Sequence, residues 1–182
     1  MAVRIVGIAA VLAVLAMYCY WSARRLDGLH ARMDAAGAAL DAQLRLRSAA
    51  VIALAAELPG AARDKLEALA TATADVDGLG HDREIVENAL SVALIQLATA
   101  RPAIFLRPSR AAADVHDDAL RATFARRFYN DTVRDALVVR DRRVVRWLGL
   151  AGHAPHPGYF EMQDDELPTP AISVAARPSI DV

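Results

Sequence analysis

An all-α chain is predicted by three observations. Alanine dominates the composition, runs of β-branched residues are few, and apolar residues recur every three or four positions along most of the 182 residues. Alanine is the strongest helix former, and only β-branched and aromatic runs would draw such a chain into strands. The predicted architecture is an N-terminal transmembrane helix continuing into an elongated antiparallel bundle of about four to five helices.

The first element is the stretch from Ile5 to Ala23, nineteen residues without a charge, closed by Arg4 before it and Arg24-Arg25 after it. As a helix it is ~28 Å long, close to the thickness of a hydrocarbon core. A cleaved export signal would end in small residues. Here Tyr18-Cys19-Tyr20-Trp21-Ser22-Ala23 places Trp21 two residues before the one plausible cleavage point, after Ala23. Tyr18 also stands where lipoprotein processing at Cys19 would need a small residue. Tyr18, Tyr20 and Trp21 fit an interfacial aromatic belt, so an uncleaved single-pass anchor in the cell membrane is expected. Arg24, Arg25 and Arg32, with Arg45 and Arg47 beyond, outnumber Arg4 and the amino terminus. The positive-inside rule therefore puts the C-terminal part in the cytoplasm and the N-terminus outside.

Behind the anchor, Ser22 to Leu58 reads as one long helix. Leu26, Leu29, Met33, Ala36, Leu40 and Leu44 make a coiled-coil-like stripe, and Asp34, Asp41, Arg45 and Arg47 fall largely off it. Pro59-Gly60 breaks the helix, and Ala61 to Ala74 resumes the pattern through Leu66, Leu69 and Ala70. Asp75 to Gly80 is a turn. The next helix begins near Asp82, with Glu84 in its first turn, and buries Ile85, Leu90, Leu94, Leu97 and Ala98. Pro102 and Pro108 bracket a loop over Arg101 to Ser109. A long helix, Ala111 to Val138, carries Val115, Leu120, Phe124, Phe128, Val133 and Leu137, and a short one covers Arg142 to Leu150. The division expected is 1–23 for the anchor, 24–164 for the bundle and 165–182 for a disordered tail rich in proline.

Three segments carry a family resemblance. Ala125-Arg126-Arg127-Phe128-Tyr129-Asn130-Asp131-Thr132-Val133 resembles the "ARRFYNxxV" signature of the LemA family of bacterial membrane proteins. Glu87-Asn88-Ala89-Leu90 is similar to that family's mid-chain "EN-L" element, and Pro157-Gly158-Tyr159-Phe160-Glu161 to its closing aromatic-Phe-Glu segment. The order matches over roughly residues 1 to 165. Ala100-Arg101-Pro102-Ala103 departs from the family's Glu-x-Tyr-Pro-like element, and Ala49-Ala50-Val51-Ile52 from its polar first-helix turn. The resemblance implies an N-terminally anchored helical bundle without established enzymatic activity, of a kind associated with membrane proteolysis or envelope functions.

On a helix Arg126, Asn130 and Arg134 share one face, while Tyr129 with Val133 and Leu137 can face the core. Asn130 is a poor residue for a helix interior, which predicts a partner for its amide, either a register-fixing bond to Asn88 or Glu87 or a ligand. With the family resemblance, the motif implies Arg126, Arg127, Tyr129, Asn130, Arg134, Tyr159 and Phe160 as candidate binding residues.

Other chemistry is argued against by spacing. An EF-hand begun at Asp75 would put Leu79 and Val86 at ligand positions five and twelve. His153 and His156 have no nearby carboxylate or cysteine to complete a metal set, and His30, His81 and His116 are isolated. The sole cysteine, Cys19, lies in the apolar stretch, which leaves no intramolecular disulfide or cysteine metal site. There is neither a nucleophile elbow nor a glycine-rich phosphate loop. A formal net charge of −1 argues against nucleic acid as the partner. Between Arg121 and Arg146 eight arginines face three aspartates. A solvated helix face is the expectation there, with anionic lipid as the alternative, and Val144-Val145-Arg146-Trp147-Leu148 as the part to touch a bilayer.

The function expected is a non-enzymatic, membrane-anchored helical protein that presents its bundle to a protein partner, itself possible as a membrane protein, with no cofactor. The alternative is a lipid- or small-ligand-binding domain with a pocket near Tyr129, Asn130 and Tyr159-Phe160.

Overall fold

The computed structural model describes residues 2–141, 158–164 and 167–168. These are all-helical or irregular, with no strand among the described residues. Five helices follow in order: α1 (Ala2–Ala56), α2 (Ala61–Asp75), α3 (His81–Ala100), α4 (Ala103–Leu106) and α5 (Arg110–Arg140). The short helix expected at Arg142 to Leu150, the segment Val144 to Leu148, and His153 and His156 lie outside the described residues. So does the expected tail, apart from Leu167 and Pro168.

Each boundary has a local cause. α1 runs unbroken from the apolar stretch because nothing before Pro59 interrupts it. Its end tightens through Glu57 N to Leu54 O and Leu58 N to Ala55 O, both 3.0 Å. Gly60 then takes φ 62°, a left-handed value that glycine alone adopts without strain, and its carbonyl accepts from Arg63 N at 2.9 Å to start α2. Gly78 at φ 78° turns the chain again before α3, whose first turn holds Asp82 and Glu84. The Arg101–Ser109 loop differs from expectation in containing α4, one helical turn that follows Pro102 and buries Phe105. Proline is well suited to such a start because no helical partner for its nitrogen is lost there. Ser109 accepts from Ala112 N at 3.2 Å and caps α5.

The chain divides into two compact units, Met1–Leu40 with Arg126–Tyr159, and Asp41–Ala125 with Phe160–Val182. In the second unit the core joins Val51 and Leu54 of α1, Leu66 of α2, Leu90 and Leu94 of α3, Phe105 of α4, Val115 of α5, and Leu167. Each fully buried aliphatic side chain contributes about 1.5–3 kcal/mol. In the first unit Ala36 and Leu40 of α1 and Val133, Ala136 and Val139 of α5 are buried.

Three expectations about faces are corrected. Ile85 is 54% exposed rather than buried. Of the apolar residues expected along α5, Val115 and Val133 are buried, but Leu120 (46%), Phe124 (64%) and Phe128 (62%) face outward, and Ala111, Ala112, Ala119 and Ala122 complete the buried side. Arg47 is not off the α1 stripe but in it. Leu40, Leu44, Arg47, Val51, Leu54 and Leu58, spaced alternately by four and three, are all buried.

Candidate functional site

In the second unit, α3 holds the closing segment of the chain with a row of polar side chains. Glu84 Oε1 accepts from Glu161 N at 2.8 Å, and Asn88 Oδ1 accepts from Gln163 N at 2.7 Å. Ser91 Oγ donates to the Gln163 carbonyl at 3.3 Å. Residues 84, 88 and 91 recur at helical spacing, so one α3 face meets alternate peptide groups of an extended chain. Phe160 and Met162 consequently point inward and are buried, whereas Glu161 and Gln163 are exposed. Asp164 accepts from the Thr123 hydroxyl at 3.3 Å.

Beneath that row is a buried ionic network. Arg47 Nη1 donates to Glu87 Oε2 at 2.7 Å and Arg83 Nε to Glu87 Oε1 at 2.8 Å, and all three side chains are 0% exposed. Arg47 Nη2 donates to Ser91 Oγ at 2.8 Å, which ties the network to the closing segment. Arg83 Nη1 donates to the Val76 carbonyl and lies 3.6 Å from Asp41 Oδ1. Next to it, the Ser48 and Thr73 hydroxyls share a 2.6 Å hydrogen bond. A charge removed from water needs partners, and here one carboxylate serves two guanidinium groups, while Arg83 Nη2 is buried without a hydrogen bond among the described residues.

Glu87 accepts from Arg47 and Arg83, and Asn88 Oδ1 from Gln163 N, all within the second unit. Arg47 and Arg83 were not among the candidate residues. Their signal is the heptad phase: Arg83, Glu87, Leu90, Leu94 and Leu97 repeat the alternating four-three spacing of the α1 stripe, and all five are buried.

The first unit holds most of the candidate residues. Tyr129 is half-buried and donates from its hydroxyl to the Gly158 carbonyl at 3.2 Å. Its phenol is pushed up from the usual range, first by burial and then by the negative charge of Asp34. Arg126 and Asn130 are half-buried, Arg127 is exposed, and Arg134 lies 3.5 Å from Asp131. Tyr159 is 45% exposed. Phe160, which belongs to the second unit, is fully buried.

Two cavities open in the first unit. One, of about 450 Å³, is lined by Leu29, Arg32, Ala35, Ala36 and Ala39 of α1 and by Phe128, Asp131, Thr132 and Asp135 of α5. The other, of about 650 Å³, lies where the apolar stretch ends and is lined by Trp21, Arg24, Arg25, Gly28, Leu29 and Arg32 opposite Asp135, Val138 and Val139. Neither is lined by Arg126, Arg127, Tyr129, Asn130 or Arg134. On α5 these two cavities use positions 128, 131, 132, 135, 138 and 139. Among the described residues no cluster of His, Cys, Asp or Glu is placed to hold a metal ion.

The start of α1 is apolar and long enough to cross a membrane, and only 6% of that window is buried. Ile5, Val6, Ile8, Leu12, Val14 and Met17 are all more than half exposed. At its end the Arg24 and Arg25 guanidinium groups lie 5.6 Å from the Tyr20 and Trp21 rings respectively. No family model, curated protein or solved structure matches this chain.

Proposed function

We propose that this is a non-enzymatic, single-pass membrane protein, a divergent LemA-like chain whose antiparallel helical bundle is presented to a protein partner at the cytoplasmic face. The anchor rests on the exposed apolar start of α1, which would be an unfavourable surface in water. Pairings along the helices support an alternating bundle. Arg45 and Ser48 of α1 meet Asp77 and Thr73 in descending order, whereas Asp41 and Arg47 meet Arg83 and Glu87 in ascending order. The LemA likeness is supported by the joint use of its elements, since Asn88 of the "EN-L" segment holds the main chain just after Phe160-Glu161.

The observation that carries the interaction reading is the pair Leu120 and Phe124, large apolar side chains one turn apart on α5 that face outward. Photocrosslinking from position 124 in native membranes should capture the same protein as from position 120, and nothing from exposed Arg110. Phe124→Asp should abolish the capture with helicity unchanged. Capture of lipid alone, or of the same products from Arg110, would defeat the reading. Orientation is tested by Arg110→Cys in a Cys19→Ser background: a membrane-impermeant maleimide should label it only after lysis.

A second reading, binding of lipid or a small ligand at the membrane surface, is favoured by the two cavities of the first unit.

A further inference from the structure

Three arginines at the end of the apolar stretch face a cavity instead of an acid. Among the described residues no carboxylate is within ion-pair distance of Arg24, Arg25 or Arg32, although all three line the 650 Å³ cleft. Asp135, across the cleft on α5, is the acid in that lining, and it too forms no ion pair with them. Among the described residues the lining therefore carries a local excess of two positive charges, in a volume that would hold a polar headgroup.

The axial order of these groups matches a phospholipid. Trp21, Arg24 and Arg25 stand at the end of the apolar stretch, where a bilayer places its phosphates, and the aromatic rings beneath the guanidinium groups restrain them there. Arg32 stands about two turns further along α1, where a helical side chain leans back toward the N-terminal, membrane end, and Asp135 lines the same cleft. A carboxylate at that level repels a second phosphate but accepts hydrogen bonds from hydroxyl groups. Gly28, midway along the α1 wall, keeps the cleft open: a Cβ there would meet nothing within 4 Å.

We propose that this cleft binds the headgroup of an anionic phospholipid whose phosphodiester bears a hydroxylated substituent, as in phosphatidylglycerol. Arg24 and Arg25 hold the phosphate, Arg32 steers the headgroup outward, and Asp135 accepts from its hydroxyl groups. The inference rests on the anchor and deepens the second reading.

The test uses the full chain with Trp147→Phe, which leaves Trp21 as the sole tryptophan, reconstituted into vesicles. Quenching of Trp21 by brominated phosphatidylglycerol, phosphatidylmethanol and phosphatidylcholine gives relative association constants. Phosphatidylmethanol has the same charge and no hydroxyl. Phosphatidylglycerol should exceed phosphatidylcholine by about tenfold, with phosphatidylmethanol between them. Arg24→Gln/Arg25→Gln/Arg32→Gln should bring all three lipids together, and Asp135→Ala should make the two anionic lipids equal. Gly28→Leu fills the cleft with every arginine in place and should remove the preference for phosphatidylglycerol over phosphatidylmethanol. If Gly28→Leu keeps that preference, or if the two anionic lipids are equal in the unaltered chain, the cleft is not a headgroup site. Loss of the preference on adding millimolar glycerol phosphate would assign the site to a free phosphate ester and overturn the lipid assignment. Circular dichroism and retention on alkaline-washed membranes accompany each variant, so a protein that leaves the membrane refutes the anchor and not the cleft.

Discussion

Two guanidinium groups, Arg47 and Arg83, are wholly removed from solvent and share the carboxylate of Glu87, with Asp41 3.6 Å from Arg83. Loss of the shared partner leaves two buried cations uncompensated, which is the costly way to break such a network. Glu87→Gln should lower stability by about 3–5 kcal/mol in urea unfolding. Replacing all three residues together by Met, Leu and Leu should cost far less, because the desolvation penalty disappears with the charges. If the triple variant is as unstable as Glu87→Gln, the network adds net stability beyond its own desolvation. At Tyr129 the raised pKa means that the folded state keeps a proton which the unfolded chain gives up near pH 10. Stability of the first unit therefore falls as pH rises through about 10 and beyond. Asp34→Asn should bring the phenol down, as read by the phenolate absorbance lost in Tyr129→Phe; an unmoved midpoint would mean that the Asp34 charge does not reach the ring.

Helix existence was readable from local chemistry, since Pro59-Gly60, the turn at Asp75 to Gly80 and the prolines at 102 and 108 act on the backbone wherever it lies. The faces were less readable. Side-chain size does not mark burial on α5, which packs through Ala112, Ala119 and Ala122, all at most 5% exposed, and turns Leu120, Phe124 and Phe128 outward. Small side chains let helix backbones approach closely, and the larger residues no longer fit between them. Ala119→Leu should therefore destabilise by about 1–3 kcal/mol through overpacking, whereas Phe124→Ala should change stability by no more than about 0.5 kcal/mol. The reverse order would put α5 back on its phenylalanine side. Ser109→Ala should cost about 1 kcal/mol through loss of the α5 cap. Of the candidate site, Tyr129 and Phe160 were found from a motif and prove to hold or fill the fold, while the arginine cleft needed the spatial approach of Asp135, Val138 and Val139 to α1. No spacing along the chain carries that approach.

At the scale of the molecule, the division into two units cuts α1 near Leu40 and α5 near Ala125. Each unit keeps its own buried residues, and most of the exposed large apolar residues of α1, Ile5 to Trp21, precede Ser22. The account depends on what those first residues are. As a permanent anchor they make the aromatic and arginine side chains at 20–25 an interfacial collar; as a removed signal they would have no place in the mature protein. The direct measurement is the intact mass of the protein recovered from alkaline-washed membranes. The account predicts a membrane-retained chain whose mass includes residues 5–23. Recovery in the soluble fraction of a chain that begins at residue 24 would contradict it.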